Sequence, residues 1–114
     1  GCFYFDSIIN YKAAVAETFD IKFETKLMIP RDLKVETEDI CICLGNLLDN
    51  AIEASKKVKA EERSVCVEIR VDRRNLMMMV SNHYEERKSL YDNKKRKTQA
   101  WIWTEYNKED SQTV

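Results

Sequence analysis

Three carboxamides stand where an amide can do chemistry. Asn46 and Asn50 lie in "LGNLLDNAIEAS", Leu44 to Ser55, and Asn82 ends the alternating run "LMMMVSN". Residues four apart stack on one helix face, so Asn46 and Asn50 form a short polar row. A buried amide without a partner costs about 1–3 kcal/mol, so a row of them at the rim of a core points to a ligand or to caps on neighbouring loops. An amide oxygen is a hard, neutral ligand suited to Mg²⁺, an ion that keeps several waters and shares substrate phosphates. The plainer readings are two solvated helix-rim polars and a strand-end turn residue at Asn82.

The other reactive side chains carry less. His83 is the single histidine. It falls at a strand end, outside any long helix, which predicts a surface residue and not a phosphoacceptor. The cysteines are Cys2, Cys41, Cys43 and Cys66, with no C-x-x-C pair. Cys41 and Cys43 sit two apart on a predicted helix and point to nearly opposite faces. Reduced, buried thiols are therefore expected, and no metal cluster.

The elements that hold these residues read from periodicity. "DSIINYKAAVAETF" places Ile8, Ile9, Ala13, Ala16 and Phe19 near helical spacing, with Asp6 or Ser7 as cap. "IKFETKLMI" alternates, with Ile21, Phe23, Thr25, Leu27 and Ile29 on one face and Lys22, Glu24 and Lys26 on the other, which predicts a half-buried strand. A second helix is expected from about Glu38 to about Lys59, capped by Thr37. Ile40, Leu44, Leu47, Ala51 and Ala54 would form its apolar stripe. "SVCVEIRVD" and "LMMMVSN" alternate again and predict a hairpin turned at "RRN". Val65, Val67, Ile69 and Val71 face inward on the first strand. On the second, Leu76, Met78, Val80 and Asn82 share one face. Helix, strand, helix, strand, strand packs most economically as a two-layer α/β (α+β) sandwich, with the helices on one face of an antiparallel or mixed sheet.

Composition bounds the function. The chain has 114 residues and a formal net charge of -1, enough for one domain and without the basic excess of a nucleic-acid binder. "KKRK" at Lys94 to Lys97 reads as a solvated run. No apolar run reaches the ~20 residues of a membrane span, so no membrane contact by this segment is expected.

"LGNLLDNAIEAS" resembles the N box of the GHKL ATPase superfamily, and is most similar to that of sensor histidine kinases of the quorum-sensing peptide-receptor type. The resemblance runs from about Asp6 to Glu85. It implies a partial Bergerat-type ATPase fold and an ATP-dependent protein histidine kinase of two-component signalling. It also implies ATP and Mg²⁺ as cofactors and a cytoplasmic portion of a membrane-anchored receptor. The partners it implies are a phosphoacceptor helical domain and a response regulator. By the same resemblance Asn50 coordinates the Mg²⁺ that bridges the phosphates, and Asn46 lines the pocket near the water or phosphates as the catalytic residue. Asn82 takes the place of the aspartate that binds the adenine amino group in most of these kinases. Glu53 departs from the pattern, since many relatives carry a basic residue three after the second asparagine.

The composition breaks after Tyr84, dividing the chain into an ATP-binding-domain portion, residues 1–85, and a divergent tail, residues 86–114. The family's glycine-rich lid motifs are missing, and the whole chain has only Gly1 and Gly45. Trp101-Ile102-Trp103-Thr104 must be encoded TGG-ATn-TGG-ACn. Read one base later, this gives GGA-TnT-GGA, a Gly-x-Gly motif of the family's type. The tail is therefore read as out of frame from near Glu85 to Arg87. Weak or absent ATP binding is expected in the isolated chain. "AWIWTEY" alternates and would add a strand or pair between chains, which makes a homodimer a further expected partner. The alternative function is a degenerate interaction or dimerisation module that binds no nucleotide.

Overall fold

Alternation becomes a sheet and the helical repeats cover one side of it. The computed structural model describes residues 3–30, 38–72, 75–85, 94–104 and 112–113. In chain order these are α1 (Phe3–Glu17), β1 (Lys22–Met28), α2 (Glu38–Ser55), a single 3₁₀ turn (Ala60–Glu62), β2 (Ser64–Asp72), β3 (Asn75–Glu85), β4 (Lys94–Thr104) and the two-residue β5 (Gln112–Thr113). The strands lie in the order β1-β2-β3-β4-β5. β1 runs parallel to β2, and every other neighbour pair is antiparallel. The α2 crossover is what permits the parallel pair, since a tight turn cannot make one.

The hairpin register sets Val65 against Asn82, Val67 against Val80 and Ile69 against Met78. All six side chains are buried on the helix-covered face. Phe5, Ile9 and Ala16 of α1 and Ile40, Leu44, Leu48, Ala51 and Ile52 of α2 close that face into one core. α1 packs toward β1, and α2 lies over β2 and β3. The layers are those predicted: two helices on one face of a mixed sheet.

Details differ, each for a physical reason. Asp6 and Ser7 do not cap α1, because the helix already runs from Phe3 and Phe5 anchors it in the core. α1 ends in a Schellman-type turn. Ile21 N–H donates to the Ala16 carbonyl at 3.0 Å and Asp20 N–H to that of Glu17 at 3.1 Å, with Asp20 at φ 58°. Aspartate tolerates this left-handed backbone better than most residues. α2 stops at Ser55, short of the expected Lys59, where a tight turn (Val58 N–H to Ser55 carbonyl, 3.2 Å) folds Val58 into the core. Its buried stripe is Ile40, Leu44, Leu48, Ala51, Ile52 and Ser55. Leu47 and Ala54 are only half-buried, because the helix is rotated slightly from the expected orientation. β1 is more exposed than a half-buried strand, because it lies at the sheet's edge. Only Phe23 among its residues is even half-buried. Val71 is half-buried as well. The Thr37 cap and the Arg73–Arg74 part of the hairpin turn lie outside the described residues. The tail does add a strand: β4 pairs along β3, with Trp101 opposite Met78 and packed against the core.

One side chain staples the lower end of the sandwich. Arg63 donates from Nε to the Val58 carbonyl (2.9 Å), from Nη1 to that of Phe19 (2.8 Å) and from Nη2 to that of Lys56 (3.2 Å). The planar guanidinium satisfies three helix-end and loop carbonyls that would otherwise lack partners.

Candidate nucleotide site

α2 presents the first two carboxamides. Lys12 of α1 pairs with Asp49, so the flank of α2 carrying Asp49 turns toward α1. At about 100° per residue, Asn50 then falls on the opposite flank, with the half-buried Cys43, Leu47 and Ala54. Asn46, one turn earlier, sits nearer the solvent crest. Both asparagines are exposed, and neither side chain is hydrogen-bonded to another described residue. The polar row exists as read, and its amide oxygens are open to a ligand. Since α2 lies over β2 and β3, the Asn50 flank borders the β3–β4 side of the sheet.

The third carboxamide comes from the sheet. Asn82 is 3% exposed on the helix-covered face, as strand parity predicted. Its Nδ2 donates to the His83 carbonyl at 2.9 Å. That bond engages one of the amide's two N–H groups and leaves Oδ1 as an acceptor. An acceptor is the group an adenine amino group requires.

His83 corrects its prediction. It is half-buried, not a surface residue, and its Nδ1 lies 2.8 Å from Ser64 Oγ across the hairpin. The signal was present: the predicted hairpin register sets the start of one strand against the end of the next. A cavity of about 330 Å³ opens beside the pair, lined by Lys22, Glu61, Glu62, Arg63, Ser64 and His83. None of the three asparagines lines it.

The surrounding charges and thiols fill in the site. Glu53 pairs with Lys56 at 3.0 Å, and Lys56 Nζ also lies 4.0 Å from the centre of the Phe19 ring. Cys41, Cys43 and Cys66 form no disulfide and are half-buried, not fully buried. Burial pushes the Cys43 thiol up. Among the described residues no group of three His, Cys, Asp or Glu side chains could hold a metal. One amide ligand on Mg²⁺, with waters and phosphates completing the shell, needs no such group. Ser55 Oγ is the one buried side-chain polar atom without a partner among the described residues. No helix among them is long and apolar enough to cross a membrane.

Two helices on one face of a mixed sheet, with an amide row on the central helix and a polar strand end beneath it, make a partial ATPase sandwich. The GHKL domain model matches residues 35–111, a span that takes in Asn46, Asn50 and Asn82, and the chain belongs to that family. GHKL domains bind ATP, usually with Mg²⁺. Comparison with curated proteins gives no match.

Proposed function

We propose that this chain is the ATP-binding catalytic domain of a sensor histidine kinase of the quorum-sensing peptide-receptor type. In the full protein it would serve to phosphorylate a histidine on a helical phosphoacceptor domain, and a response regulator would receive the phosphoryl group. Asn50 offers Oδ1 to Mg²⁺, Asn46 lines the phosphate end, and Asn82 accepts from the adenine amino group through Oδ1. The observation that carries this reading is Asn82: a buried carboxamide on the helix side of the sheet with one N–H engaged by the neighbouring carbonyl and its Oδ1 open to a donor. When bound, the metal supplies charge neutralisation at the phosphates. The chain's own task is to orient the nucleotide. Its glycine-poor tail gives little with which to cover the phosphates, so binding by this chain is weak.

Titration with ATP and Mg²⁺ tests the reading. Saturable binding that is lost in Asn50→Ala and weakened in Asn82→Ala supports it. No binding at about millimolar ATP, where a site worth roughly 4 kcal/mol would fill, overturns it in favour of an interaction module. The reading frame of the tail is a separate proposal. The coding DNA should contain a site near Glu85 to Arg87 where a single-base change restores Gly-x-Gly in frame with "VSNHYE". A locus that allows no such restoration removes that idea and leaves the site untouched.

A further inference from the structure

β1 is the end strand of the sheet, and among the described residues it pairs only with β2. Its register sorts its side chains. Phe23, Thr25 and Leu27 stand beside Val65, Val67 and Ile69 on the helix side, while Lys22, Glu24, Lys26 and Met28 stand beside Ser64, Cys66, Glu68 and Arg70 on the open side. Leu27 and Met28 are 38% and 53% exposed, two of the four exposed large hydrophobics among the described residues. A free edge with apolar side chains is a template for another strand unless charge forbids it.

Here charge does not forbid pairing; it selects a register. Two identical edges pair antiparallel about a two-fold axis, and the axis must pass through a residue so that each side chain keeps its face. An axis at Glu24 sets Glu24 against itself and Lys22 against Lys26. An axis at Lys26 sets that lysine against itself. An axis at Phe23 overlaps only Lys22 to Glu24 and leaves the rest of the strand unpaired. An axis at Thr25 overlaps the whole of Lys22–Met28. It sets Glu24 opposite Lys26 twice, Phe23 opposite Leu27 twice, and the aliphatic stem of Lys22 against Met28 twice. Opposite charges and apolar pairs facing each other across strands are both stabilising.

We infer that β1 is a homodimerisation edge. It pairs antiparallel with β1 of a second copy about Thr25 and joins two five-stranded sheets into one. The partner is this chain itself, selected by the Lys-x-Glu-x-Lys alternation.

Sedimentation velocity of the full chain over a concentration series tests this. Glu24→Lys places lysine opposite lysine, and Lys26→Glu places glutamate opposite glutamate, so each should weaken the dimer by about tenfold or more. The double variant Glu24→Lys/Lys26→Glu restores opposite charges and should return the dimer to within about threefold of the parent. Thr25→Cys should form a disulfide with its own counterpart under mild oxidation, located by peptide mass spectrometry, because directly opposed residues lie within disulfide reach. All these positions are exposed, and circular dichroism confirms that each variant is folded. A monomer at every concentration up to about 1 mM overturns the inference, as does a dimer indifferent to the single swaps, which would place the contact elsewhere.

Discussion

Ser64 Oγ and His83 Nδ1 lie 2.8 Å apart on neighbouring strands, one residue beyond the Val65–Asn82 pair that begins their register. The His83 carbonyl also accepts from Asn82 Nδ2, so the pair steadies the strand end that carries the adenine candidate. Ser64→Ala removes one hydrogen bond and should cost about 1 kcal/mol in urea unfolding. His83 is the only histidine, so its imidazole proton resonances identify themselves. They should move in the variant, and unmoved resonances would mean that the bond does not form in solution.

Arg63→Ala should be the more damaging change. It strands the Phe19, Lys56 and Val58 carbonyls together, and we expect a loss of about 2–4 kcal/mol in denaturant midpoint experiments at unchanged m-value. Arg63→Lys keeps the charge but cannot fork to three acceptors, so it should recover less than half of that loss. Full recovery by lysine would show that charge, not the fork, is what matters there.

Asn82→Asp keeps the side chain's size and shape and should still harm this chain. The carboxylate would replace a donor that now satisfies the His83 carbonyl, and it would do so in a site only 3% exposed. Burial and the facing carbonyl both favour the protonated acid, so the variant's folded pKa is raised. The sign follows: below the unfolded carboxyl value the acid is protonated in both states and the cost is small. Above it the cost grows until the folded value is passed. A pH series of thermal midpoints should show the gap from the parent widening from acid toward neutrality, to about 1–3 kcal/mol. A gap independent of pH would point to packing instead.

Cys43 offers a reporter on the Asn50 flank. Burial raises its thiol pKa, so it should alkylate more slowly than an unfolded thiol at mildly alkaline pH. A raised folded value also means that its contribution to stability is intact below the unfolded thiol's pKa and falls away as pH climbs through the folded one. Nucleotide bound along that flank should slow iodoacetamide at Cys43 and leave Cys66, on the opposite sheet face, unchanged. Equal protection of both would indicate a global change and not a local ligand.

Ser55 should tolerate loss of its hydroxyl. Its Oγ is buried without a partner, so Ser55→Ala removes an unsatisfied polar atom and should be neutral or stabilising by about 1 kcal/mol. A clear destabilisation in thermal melts would mean that an ordered water or an undescribed neighbour bonds that oxygen.

Strand parity was the most legible feature of the sequence. Val65, Val67, Ile69, Leu76, Met78, Val80 and Asn82 all face the core as alternation required, because a period of two leaves no choice once one face is buried. Helix rotation was less legible. Leu47 and Leu48 are equally apolar, and periodicity alone does not say which points at the sheet. The exposure of β1 was hidden because edge position depends on strand order, which arises from the crossover and not from the strand's own residues. The amide row was readable from spacing. The Ser64–His83 pair required a register that only the hairpin, taken as a unit, supplies.

The parallel pairing of β1 with β2 has a kinetic consequence. Lys22 and Ser64 meet across 42 intervening steps of chain (64 minus 22), whereas Asp72 and Asn75 meet across three. Closing the long loop costs more entropy before any contact compensates it, so the hairpin forms early and the first strand docks late. Until it docks, Val65, Val67 and Ile69 lack one lateral neighbour, and that interval is when a growing chain is most open to capture by chaperones or by its own kind.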